Sequence, residues 1–252
     1  MDVRRQVLQH LGTPYAETRF SQSYLPHLVR EATGCRPHEV MEALWGLVAD
    51  GLVYLDPDGQ GSGTDNWQWR LSADGRAAAG GGAWEPRDPE GYLSRLRREA
   101  PGVDDLAVRY VREALRAFNA RCYLACSVML GVASEQAFRG LAEAFVAASS
   151  AQDGKLGKLL LNPRSTYATR FEEFRKRLEP LRSALPHDLA DVLTLDAVAE
   201  LLRVTRNSVG HPSGGDVEED TARVHLQMAG LYLRKMTGLR GHFEGQAPGS
   251  AD

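Results

Sequence analysis

Apolar residues recur three and four positions apart along most of this chain, a spacing that predicts helices. Val3, Val7, Leu8 and Leu11 mark a first helix. A second covers 22–33, with Leu25, Leu28, Val29 and Ala32 on one face. Pro37 suits the first turn of a third, whose inward residues are Val40, Met41, Leu44, Leu47 and Val48. Gly51 ends that helix. The pattern then changes: Leu52-Val53-Tyr54-Leu55 reads as a short strand, 56–66 as a turn-rich loop, and 67–71 as the returning strand. From residue 92 onward the helical period returns. It predicts helices over 103–118, 121–148, 166–178, 185–207 and 218–236, with a connector at 152–163 broken by Gly154, Gly157 and Pro163. The expected fold is mainly α: three helices and a β-hairpin, followed by a helical bundle.

Domain boundaries follow from composition. Residues 79–91 concentrate glycine, proline and charge without an apolar period, so they read as a linker between domains at 1–78 and 92–240. Residues 241–252 are small and polar and read as a disordered tail.

Charge changes the picture in two places. Formal net charge is −3 over 252 residues, which gives no global field for nucleic acid. Residues 1–78 hold seven arginines, no lysine and ten acids, and the third helix sets Glu39, Glu42 and Asp50 against Arg36. Phosphate neutralisation supplies most nonspecific DNA affinity, so DNA binding by this segment is expected to be weak. The opposite balance occurs between Lys155 and Arg182: eight cations against Glu172, Glu173 and Glu179. Lys155, Lys158, Arg164, Arg170, Arg175, Lys176 and Arg177 are therefore candidate RNA contacts, although a solvated helix face has the same composition. Tyr167 and Phe171 could stack bases there or belong to the core. His187 reads as a residue near a helix start and His225 as a residue within the last helix, neither as a ligand. The three cysteines, Cys35, Cys122 and Cys126, lack zinc-site spacing, and a reduced cytoplasm is the simplest setting. No metal site, cofactor motif, signal peptide or membrane span is expected.

The sharpest chemical pattern is Arg206-Asn207-Ser208-Val209-Gly210-His211, followed by Pro212, at the end of a long apolar-periodic segment. Arginine holds a phosphate through paired hydrogen bonds, and histidine exchanges protons near neutral pH. Asn207 and His211, four apart, share a helix face. If the last turn opens at Gly210, Arg206 and His211 converge on one pocket. An Arg and a His near a helix end also arise as a cap and a surface residue.

Arg206, Asn207 and His211 resemble the mark of the HEPN superfamily, Arg-x4-6-His with a polar residue after the Arg. The run from Tyr123 to Phe138, with Glu135 after small residues, is similar to that family's second helix. The first segment resembles a winged helix-turn-helix, carried by "ADGLVYL" ending at Leu55 and "LSADGR" ending at Arg76. The HEPN resemblance implies a compact helical bundle and a homodimer with its motifs facing across the interface. It also implies metal-independent RNA cleavage that leaves 2′,3′-cyclic phosphate and 5′-hydroxyl ends. His211 would be the acid/base, Arg206 the phosphate clamp and Asn207 an orienting group. The family is common in toxin–antitoxin and antiphage systems, so an antitoxin or defence protein could dock on the winged helix. Many members are noncatalytic, which leaves an adaptor or a DNA-binding regulator as the alternative.

Overall fold

In a computed structural model of the chain, the structure describes residues 3–13, 25–56, 68–81, 84–149, 154–186, 189 and 216–246. The protein is mainly helical and divides into two compact units, residues 1–92 and 93–252.

The first unit begins with α1 (Val3–Leu11), α2 (Leu25–Thr33) and α3 (Pro37–Ala49). Pro37 starts α3 where a missing N–H costs nothing, and the Arg36 backbone N–H donates to the Glu39 carboxylate at 2.6 Å. Gly51, at φ +71°, turns the chain out of α3 into β1 (Val53–Asp56). β1 pairs antiparallel with β2 (Gln68–Leu71), with Val53 opposite Leu71 and Leu55 opposite Trp69. Alternation along the ladder puts Val53, Trp69 and Leu71 in the core, with Val7, Leu8, Leu11, Val29, Val40, Leu44 and Leu47. Tyr54 and Arg70 take the other face, where Arg70 pairs with Asp56 at 2.9 Å.

Two elements of this unit escape the apolar period. Residues 73–80 form α4 (Ala73–Gly80), started by Ser72, whose hydroxyl accepts from the Gly75 N–H at 3.0 Å. The stretch 79–91, expected as a linker, is built otherwise in its described part. Ala79 and Gly80 finish α4, Trp84 is buried with its ring edge-on to Tyr92, and Arg87 is 2% exposed and pairs with Asp74 at 3.1 Å. Pro89–Glu99 forms α5, in which the division between the units falls. A buried tryptophan and a buried, ion-paired arginine carry no period, so composition alone reads them as a linker.

The second unit continues with α6 (Asp105–Asn119), α7 (Tyr123–Ala148), α8 (Gly154–Leu161), α9 (Tyr167–Leu178), a 3₁₀ turn (Glu179–Ala184) and α10 (Glu219–Glu244). Asp104 caps α6 by accepting from the Ala107 N–H at 2.8 Å, and Thr166 caps α9 by accepting from the Thr169 N–H at 3.2 Å. Residues 154–161, expected as a connector, are helical because Leu156 is fully buried and holds the segment despite its glycines. The first residues of the expected tail are also helical. Residues 241–244 belong to α10, where Phe243 continues the stripe of Met236 and Leu239 and meets Phe145 at 4.9 Å. The expected helix over 185–207 lies largely outside the described residues.

α7 and α10 run side by side in the same direction. Tyr123 donates to Glu219 at 2.7 Å, Ser127 Oγ and His225 Nδ1 are 3.2 Å apart, and Phe145 meets Phe243 at the far end. Both members of the Ser127–His225 pair are buried, so each satisfies a group that would otherwise be costly to bury. Burial pushes the His225 pKa below its ordinary 6.5.

Two outcomes follow from this packing. A Cβ at Gly75 would overlap the Leu52 carbonyl oxygen, a backbone atom that cannot swing aside. Gly75→Ala should therefore destabilise the first unit by about 2 kcal/mol, measurable by chemical denaturation, despite alanine's better helix propensity. For His225, the unfolded chain takes up a proton below pH 6.5 that the folded chain refuses. Its contribution is complete above that pH and falls away on acidification. Between about pH 7.5 and 5.5 the wild-type Tm should drop more steeply than that of His225→Gln; equal slopes would show that His225 does not carry the effect.

Candidate functional site

α9 carries most of the basic stretch, and its partners separate the cations into two groups. Lys155 pairs with Glu173 at 2.9 Å, Arg177 with the same carboxylate at 3.0 Å, and Lys176 with Glu172 at 2.8 Å. These pairs hold the Glu173 and Glu172 carboxyls below their usual range, first through the lysine hydrogen bonds. Arg182 lies 3.6 Å from Glu179. Every acid of the stretch is thus spent on a cation. Arg170 is different: its Nε donates to the Leu159 carbonyl at 3.1 Å and its Nη2 to the Asn162 carbonyl at 2.7 Å. It fastens the loop before α9 and keeps its charge. Lys158 and Arg164 are exposed, and their side chains have no ion-pair partner among the described residues. The positive surface is therefore centred on Lys158, Arg164 and Arg170 rather than spread evenly over the stretch. Arg175 is exposed on α9.

Tyr167 and Phe171 are half-buried and pack against Phe138 of α7. Their rings lie 5.8 Å apart and nearly parallel, and both meet Phe138 edge-on. The Tyr167 hydroxyl lies 3.0 Å from that of Tyr232. Burial pushes both phenols well above their ordinary range, and the nearby Glu135 carboxylate adds to the shift. Cys126 is fully buried, and its thiol is pushed up to about 12, which keeps it protonated and inert. Cys122, Cys35 and Cys126 are all free thiols.

Beside Arg170 the structure opens a cavity of about 760 Å³. Its walls come from α6 (Tyr110), α7 (Glu135, Gln136, Arg139), the loop at Pro163, and the first residues of α9. Sequence reasoning missed it as a site. Of its lining, Glu135, Tyr167 and Arg170 stand out in the sequence, for other reasons, and residues from several elements converge here without a shared motif. The signal that could have pointed to it is the Ser165-Thr166 pair, which starts α9 and so sets amide N–H groups at the rim.

Arg206, Asn207 and His211 lie outside the described residues, as does His187. Of the sequence-predicted site, the structure brings together Lys155, Lys158, Arg164 and Arg170 on α8, the following loop and α9, with Arg175, Lys176 and Arg177 farther along α9. Among the described residues no three His, Cys, Asp or Glu side chains are grouped so as to hold a metal ion, and no helix is long and apolar enough to cross a membrane. Comparison with family models, curated proteins and solved structures finds no match for the chain.

Proposed function

We propose that the chain is a metal-independent endoribonuclease of HEPN type. In this reading the second unit is the HEPN bundle and the first is a winged helix. The observation that carries the proposal is the Arg206-Asn207-x3-His211 motif within a mainly helical unit that also holds the chain's one strongly basic stretch. RNA supplies its own nucleophile, the 2′-hydroxyl. His211 removes that proton or protonates the leaving 5′-oxygen, and Arg206 stabilises the charge that grows on the phosphate. Asn207 orients a phosphate oxygen or the imidazole. Lys158, Arg164 and Arg170 hold the strand. A homodimer would double the few groups one motif offers, and two-fold association is the commonest symmetry.

The first unit supports a role in protein contact, as in a toxin or antiphage effector held by a partner protein. The outer face of α3 presents His38, Glu42 and Trp45, the last 48% exposed. The nearby guanidinium groups are engaged: Arg36 with Glu39, and Arg4 with Asp50. A face of this composition disfavours DNA phosphates. Noncatalytic RNA or protein binding is the alternative for the whole chain if cleavage is absent.

The motif gives the first test. His211→Ala and Arg206→Ala should each reduce RNA cleavage about 10²–10⁴-fold, and wild-type cleavage should persist in EDTA, because the motif's chemistry needs only the imidazole, the guanidinium and the 2′-hydroxyl. Activity that survives both substitutions contradicts the proposal. The basic surface gives the second. Lys158→Ala with Arg164→Ala should weaken RNA binding and lower the dependence of log K on log salt by about 1–2, whereas Lys176→Ala, whose charge is already spent on Glu172, should change both little. Equal effects from the two sets would mean that the whole stretch contributes evenly.

A further inference from the structure

The cavity beside α9 has the size and the donors for a small anionic ligand. At about 760 Å³ it lies within the range of small-molecule sites. Two kinds of donor converge on it, backbone amides and guanidinium groups, beside a buried hydroxyl. The first two amides of α9, from Tyr167 and Ala168, have no hydrogen-bond partner among the described residues, because the Thr166 side chain caps the amide after them. Arg139 spends its Nε on Glu143 at 2.8 Å, and Arg170 spends Nε and Nη2 on carbonyls; each keeps a terminal nitrogen to donate. Ser165 Oγ is shut off from solvent and has no hydrogen-bond partner among the described residues. A helix start and two anchored guanidinium groups are an arrangement that suits phosphate.

The rest of the lining narrows the class. Tyr110 is half-buried, and its ring packs on no other ring among the described residues, unlike Tyr167. It offers a face to a planar base. Gln136 carries an amide with no hydrogen-bond partner among the described residues, suited to a base edge. Glu135 adds a carboxylate that can accept from ribose hydroxyls; with Glu143 paired to Arg139 at 2.8 Å, the two arginines face two acids and the site is close to neutral before a ligand arrives. That balance works against the greater charge of a di- or triphosphate.

We propose that this cavity binds a nucleoside monophosphate unit. Its phosphate lies on the α9 amides with Arg139 and Arg170, its base lies on Tyr110, and its sugar and base edge meet Glu135 and Gln136. The unit can arrive as a free nucleotide or as one nucleotide of an RNA strand. Only the second source rests on the ribonuclease reading.

The test uses the full chain and calorimetry with the four ribonucleoside monophosphates, the corresponding nucleosides, and a short RNA. At least one monophosphate should bind saturably with a Kd of about 10 µM to 1 mM, and its nucleoside about tenfold or more weaker. Arg139→Gln and Tyr110→Ala should each weaken binding about tenfold, with Arg139→Lys and Tyr110→Phe retaining most of it and circular dichroism unchanged in all four. Displacement of bound RNA by the monophosphate assigns the site to the strand; RNA binding without displacement assigns it to a free nucleotide. Both outcomes support the site. No saturable binding up to about 10 mM, equal binding of nucleoside and nucleotide, or binding untouched by Arg139→Gln and Tyr110→Ala would overturn it. A chain that binds a monophosphate and cuts no RNA refutes the ribonuclease reading alone. A chain that cuts RNA and meets any of these overturning results refutes this inference alone.

Discussion

The second unit depends on the parallel seam between α7 and α10, two helices of 26 residues each. Its ends are fastened by different physics. At one end a buried serine and histidine satisfy each other, and a tyrosine hydroxyl reaches a carboxylate. At the other, phenylalanine rings meet edge-on. Polar pairs of this kind fix register, because a slip along the seam would leave a buried hydroxyl and imidazole unmatched, at a cost of about 1–3 kcal/mol each. The apolar stripe alone tolerates such a slip more readily. With the seam fixed, Phe138 and Phe145 on α7 form the surface on which Phe174 of α9 packs, and the start of α9 is set at the rim of the cavity.

Much of this was legible in the sequence because it rests on period. The stripes of α1, α3, α6, α7 and α9 and the alternation of the hairpin place each element within a few residues of its position, and the stripe of α10 places its start. Features without a period were not legible. α4 is eight residues long and starts from the Ser72 cap, α8 is held by Leu156 alone among its fully buried side chains, and Trp84 and Arg87 are buried in a stretch whose composition reads as linker. The reach of α10 through Phe243 was obscured by Gly238 and Gly241, which weaken helix propensity but are overridden by packing on Phe145. The site divides in the same way. A linear motif can be read from a string, and so Arg206, Asn207 and His211 stand out. The cavity cannot, because Tyr110, Gln136, Arg139 and Ser165 come together only through the seam and the cap of α9.

Electrostatics shows the same gap between counting and structure. Eight cations in a short stretch suggest a uniform basic face. The structure spends the three acids of that stretch on Lys155, Lys176, Arg177 and Arg182, which leaves charge concentrated around α8, the loop and the start of α9. The exposed pairs among them, Lys176–Glu172 and Arg182–Glu179, add little stability, typically under about 1 kcal/mol. Their main effect is to localise the field.

The central claim is that His211 and Arg206 direct the RNA's own 2′-hydroxyl against its phosphate. The end chemistry of the cut strand reports this most directly, because the nucleophile determines which oxygen keeps the phosphorus. Purified full-length chain incubated with RNA should give fragments ending in 2′,3′-cyclic phosphate and 5′-hydroxyl. Fragments with 3′-hydroxyl and 5′-phosphate ends would show that water or another external nucleophile made the cut, and would contradict the account.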